Sequence, residues 1–155
     1  MLPPLIVRRA LDKGLGIIAI TDHNTAENVP AVMRAVEGTG LWVFAGMEAQ
    51  TREEAHILCL FDTVEQALAW QEVIYSHLPP LKNDVALWGM QLVVDERGDY
   101  VRTNDRLLQA ATTLSVEEMI AGVHSLGGLA IAAHVDRLAF SLLGSLGFIP
   151  QGLAL

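Results

Sequence analysis

Apolar and polar positions along the chain switch repeatedly between a helical and a strand-like period. Pro3 and Pro4 open a first helix through about Lys13, because proline is pre-organised for a first turn, and Gly14 is placed to close it. Residues 15–21 form a continuous, isoleucine-rich apolar run that suits a strand buried on both faces. Val29, Val32, Met33 and Val36 then recur at helical spacing and give out at Gly38 and Gly40. Residues 41–47 and 57–61 read as strands. Thr63 and Gln66 form a capping box ahead of Val64, Ala67, Leu68, Ile74, Tyr75 and Leu78, and Pro79-Pro80 stops that helix. The pattern loosens over residues 81–111, where 92–95 and 99–102 flank Glu96-Arg97-Gly98 as a hairpin with glycine at its turn. A second capping box, Ser115 with Glu118, opens a helix whose buried stripe is Val116, Met119, Ile120 and Val123. Gly127-Gly128 ends it, and residues 129–133 are the last clear strand.

This alternation predicts an α/β layered or barrel fold in one domain over residues 1–155, with a hairpin insertion around 81–111. Composition narrows the function. With 52% hydrophobic and 18% charged residues the chain can build one core, and intrinsic disorder is excluded. Its apolar runs fall well short of the roughly 18 residues a membrane span requires. Arg8 and Arg9 follow the short apolar stretch at 5–7 instead of preceding it, so no secretory signal is read. The single cysteine, Cys59, cannot form an internal disulfide, which points to a reduced, cytoplasmic setting. Ten basic against eighteen acidic residues give a net charge of −8. Such a chain is a poor partner for duplex nucleic acid and a reasonable host for divalent cations.

The ionisable residues fall in a pattern. The run 17–21 is followed at once by Asp22-His23-Asn24, the run 41–47 by Glu48, and the run 129–133 by His134 and Asp136. In α/β folds the carboxyl ends of parallel strands meet at one edge, so side chains distant in sequence can gather there. His56 precedes its strand, but only residues 49–55 separate it from Glu48. That is too short for a helical crossover, so the two strands pair antiparallel and set Glu48 beside His56. Imidazoles with a carboxylate suit Zn²⁺, Mn²⁺ or Fe²⁺. Asp22, the acidic catalytic candidate, stands next to His23 where it can orient an imidazole; a turn or helix cap is its alternative role. His77 and His124 lie within helices and read as structural, and Cys59 as a small core residue.

The ordered set Ile20-Thr21-Asp22-His23-Asn24, Gly46-Met47-Glu48 with His56, and Ala133-His134-Val135-Asp136-Arg137 resembles the polymerase and histidinol phosphatase (PHP) superfamily. The resemblance covers residues from about 5 to 150. It implies a distorted (β/α)7 barrel and a centre of several metal ions that hydrolyses phosphoesters. His23, Glu48, His56 and His134 match its metal ligands, Asp22 matches the acidic neighbour in its motif, and Arg137 is a candidate phosphate contact. The expected partner is a phosphorylated small molecule, a nucleotide or an oligonucleotide end.

Two departures accompany the resemblance. The superfamily opens with a His-x-His motif and closes with an Asp-x-His motif, and this sequence has neither. The barrel is therefore expected to be incomplete, lacking its first and last strands, with truncation favoured over a genuinely reduced protein. Open strand edges would then invite homo-oligomerisation. The competing functional reading is a degenerate, non-catalytic metal-binding or interaction module.

Overall fold

The computed structural model describes residues 2–155. Helix α1 (Pro3–Asp12) leads into β1 (Ile17–Ala19), α2 (Val29–Ala35), β2 (Trp42–Gln50) and β3 (His56–Phe61). After α3 (Val64–His77) come the short α4 (Val85–Trp88) and the hairpin strands β4 (Leu92–Val94) and β5 (Tyr100–Thr103). The chain closes with α5 (Val116–Ser125), β6 (Leu129–Ala132) and α6 (Leu142–Leu146).

Four strands form one sheet in the order β1-β2-β3-β6. Strand β1 is parallel to β2, whereas β3 is antiparallel to both β2 and β6. It follows that β1, β2 and β6 all end at the edge where β3 begins. The arrangement is mixed α/β, and among the described residues the sheet is open: β1 and β6 each have a neighbour on one side only, so no barrel closes.

One sheet face carries the core. Strand β3 alternates with period two, burying Ile57, Cys59 and Phe61. Ala45, Met47 and Ala49 of β2 and Ala130 of β6 join them, and α3 and α5 cover this face with Trp70, Ile74, Met119 and Val123. Both covering helices begin with the capping boxes expected of them, Thr63 with Gln66 and Ser115 with Glu118. Two glycines record how closely the layers approach. A Cβ on Gly46 would sit 2.5 Å from the Cys59 carbonyl, and one on Gly122 would sit 2.5 Å from the Trp70 ring.

Two expectations need correction. Strand β1 is short and not buried on both faces, and Ile17 is 61% exposed. The apolar run suggests a central strand, but among the described residues β1 lies at a sheet edge and pairs on one side only. Strand β2 runs on to Gln50, so Glu48 lies within the strand and not at its end. Helices α4 and α6 had no periodic signal; each is a short turn started by a side-chain cap, Asp84 on the Ala86 N–H and Ser141 on the Gly144 N–H. The hairpin β4–β5 stands apart as a two-stranded sheet with an irregular register at Val93/Val94. No helix among the described residues is long and apolar enough to cross a membrane.

Candidate metal centre

Beyond Ala19 the chain keeps running beside β2. The Ile20 N–H donates to the Phe44 carbonyl, the Glu48 N–H to the Asp22 carbonyl, and the Asn24 N–H to the Glu48 carbonyl. These bonds extend the parallel pairing and set His23 next to Glu48. Asn24 then turns the chain at a φ of +52°, a conformation asparagine tolerates better than most residues. Its buried side chain fixes the turn, donating to the Leu108 and Ala110 carbonyls and accepting from the Gln50 N–H.

Strand periodicity supplies the next two groups. Glu48 and Gln50 leave the same face of β2, and the register places Gln50 opposite His56. His56 is thus diagonal to Glu48 across the pair, within reach of a long side chain. Thr51 tightens the intervening bend, its N–H donating to the Ala55 carbonyl and its hydroxyl accepting from the Ala55 N–H. At the far side of β3, the Ala133 N–H donates to the His56 carbonyl and so brings His134 alongside.

His23, Glu48 and His56 each offer a ligand atom, and these atoms lie within 4.8 Å of one another. His56 Nδ1 is 2.5 Å from Glu48 Oε1, and His134 Nε2 is 3.4 Å from the same oxygen. His23 Nε2 meets Gln50 Oε1 at 3.4 Å. The His56 ring centroid is 4.9 Å from that of His23 and 5.2 Å from that of His134, and Phe140 stacks on His56 at 5.1 Å. The His56 hydrogen bond holds the Glu48 carboxyl below its usual range. Burial, helped by His56 nearby, pushes His23 below the usual imidazole range. Both shifts favour the deprotonated forms that bind cations.

The residues present fit a divalent metal. His56 Nε2 and His134 Nδ1 are buried with no hydrogen-bond partner. A buried polar atom left so costs about 1–3 kcal/mol. Imidazoles with spare ring nitrogens around a single carboxylate make a donor set suited to a borderline transition ion.

The structure thus gathers His23, Glu48, His56 and His134, and it treats the other two candidates differently. The Asp22 carboxylate accepts from Asn28 Nδ2 at 3.3 Å, and among the described residues no imidazole bonds to it. Arg137 lies exposed in the loop after β6; its backbone N–H donates to the His134 carbonyl, and its side chain forms no ion pair among the described residues. Three residues of the site went unread. Gln50 was findable, since it shares the Glu48 face two positions on. Asn24 signalled only its place beside His23, and Phe140 sits in an irregular loop with no periodicity to mark it. His77 Nδ1 contacts the Val73 carbonyl inside its own helix, and burial pushes the Cys59 thiol up to about 12, which leaves it inert at neutral pH.

A solved structure from Bifidobacterium adolescentis, provisionally described as a metal-dependent phosphoesterase, superposes with a TM-score of 0.57 at 20% identity. The match covers 88% of this chain and 63% of that one, so this chain spans less than two thirds of its neighbour's length. No curated protein matches significantly. The family model of the PHP domain matches residues 2–142, and the chain belongs to that family.

Proposed function

We propose that this chain is the metal-binding part of a phosphoesterase, acting on the phosphate ester of a small metabolite, a nucleotide or an oligonucleotide end. The observation that carries the reading is the convergence of His23, Glu48 and His56 within 4.8 Å at one sheet edge. The phosphoesterase description of the structural neighbour supports it. In this reading His23, Glu48, His56 and His134 hold the ion, which is Zn²⁺, Mn²⁺ or Fe²⁺ by the nature of its donors. The bound ion would supply Lewis acidity toward a phosphoryl oxygen and lower the pKa of water.

The chain's own groups do the rest. Glu48 remains ionised and offsets the cation's charge, while Gln50 holds the His23 ring from the side. Phe140 stacks against the His56 ring and steadies its orientation. Asp22 acts through the backbone it shares with His23, and Arg137 is free to meet a phosphate from the loop after β6. The open sheet is then part of a distorted (β/α)7 barrel in which the first and last strands have no counterpart in this sequence. The edges β1 and β6 would support homo-oligomers, and the lone reduced cysteine a cytoplasmic setting. No duplex nucleic acid and no membrane partner is expected. The missing His-x-His pair favours a second reading, a non-catalytic metal-binding or interaction module.

Elemental analysis after metal loading tests the shared site. His23→Ala and His134→Ala should each lower the bound metal, and unchanged content in both variants would defeat it. Hydrolysis of a generic phosphate ester by the loaded chain favours the phosphoesterase over the interaction module.

A further inference from the structure

The cleft that opens on His23 has walls of two origins. It holds about 180 Å³, lined on one side by Asp22, His23 and Asn28 and on the other by Leu92, Asn104 and Gln109. The first wall continues from the sheet edge that carries the imidazoles. The second belongs to the segment 91–109, whose hairpin shares no ladder with the four-stranded sheet.

Polar contacts hold this second wall in place, and Asn28 lies at their centre. Its Nδ2 donates to the Leu92 carbonyl at 3.1 Å, its Oδ1 accepts from the Val94 N–H at 3.1 Å, and Nδ2 also reaches Asp22 Oδ2 at 3.3 Å. One amide therefore touches both sides of the cleft. Next to it, Glu27 accepts from Arg102 at 2.8 Å and from Asn104 at 3.1 Å. Asn104 also donates to the Tyr75 hydroxyl, and Gln91 turns its amide inward onto the Asn104 and Arg106 carbonyls. Asn24 anchors the far end of this segment through the Leu108 and Ala110 carbonyls, which leaves Asn28 and Glu27 as the ties beside the cleft at its hairpin end.

We propose that the segment 91–109 is the selectivity-determining wall of the substrate site, favouring an alcohol part that carries hydrogen-bond donors over an apolar one, and that Asn28 is the positioning residue fixing its distance from Asp22 and His23. This rests on the phosphoesterase reading and assigns the alcohol part of the ester to the cleft. The lining includes the carboxylates of Asp22 and Glu27 and, among the described residues, no lysine or arginine. A compact group bearing hydroxyl or amino donors suits that lining.

The test is calorimetry on the Mn²⁺-loaded chain with orthophosphate, 2-aminoethyl phosphate and 1-naphthyl phosphate. The wild-type chain should bind the compact ester at least about tenfold more tightly than the naphthyl ester, and Asn28→Ala should shrink that gap below about threefold. Orthophosphate, too small to reach the wall, should bind both alike. Arg102→Ala loosens the same wall through Glu27 and should repeat the pattern, which keeps the test decisive if Asn28→Ala folds poorly. Hydrogen exchange of the metal-free variants should quicken at Tyr100–Thr103 and stay unchanged at Cys59 and Ala130. A preference for the aminoethyl ester undiminished in both variants, or exchange rising equally in the central sheet, overturns the proposal. Failure of orthophosphate to bind the wild-type chain instead overturns the phosphoesterase reading on which it stands.

Discussion

Two regions meet at His23, the β2–β3 ladder and the hairpin β4–β5, and different forces keep them there. The ladder is backed by α3 and α5, with Met47, Ile57, Cys59, Phe61 and Trp70 buried between them. The hairpin buries little apolar surface beyond Val93 and Val94 and is tied down by Asn28, by Glu27 with Arg102, and by Arg34 with Glu96. Apolar packing is strong and indifferent to direction, whereas each exposed polar tie is weak and local. The proposed metal ligands sit on the first kind of support and the proposed substrate wall on the second. That division would suit a centre needing fixed ligand positions beside a wall whose placement tunes which ester is accepted.

The contrast can be broken at its strong end first. Trp70→Ala removes the ring that fills the space between α3 and Gly122, and should lower unfolding stability by about 3–5 kcal/mol in urea titration. Retention of wild-type stability would show that the sheet is not held as described. Next comes the edge of the ladder. Glu48→Ala should weaken metal affinity by more than about 100-fold, above the range for outer supporting residues. Glu53→Ala should leave affinity near wild type, because Glu53 accepts from the Val116 N–H at the start of α5 and faces Arg52. Comparable losses in isothermal titration would remove Glu48 from its central place. The smallest effect belongs to the hairpin, where Arg102→Ala should cost about 1 kcal/mol or less of global stability because Arg102 is half exposed. A cost matching that of Trp70→Ala would erase the distinction between the two regions.

Much of the site was legible because strand pairing is constrained by chain length. The seven residues between Glu48 and His56 forced an antiparallel return, and the structure has that pairing with Gln50 opposite His56. The capping boxes at Thr63 and Ser115 were equally legible, since a cap depends on residues only three positions apart. Burial of β1 was misread, because an apolar run reports the residues' preference and not whether a neighbour exists to cover them. The end of β2 was misplaced for a related reason: Ala49 and Gln50 extend the strand through pairing with β3, a partner that local propensity does not reveal.

The sequence alone determined which elements form and which chemistry lies at their ends, because period, caps and residue type are local properties. Tertiary structure alone decided that the His134 and His56 rings approach the same Glu48 oxygen. It also decided that Asn28 bridges two walls and that Asp22 turns to Asn28 instead of an imidazole. Those outcomes depend on distances across strands and loops far apart in the chain, which packing sets and no local pattern encodes.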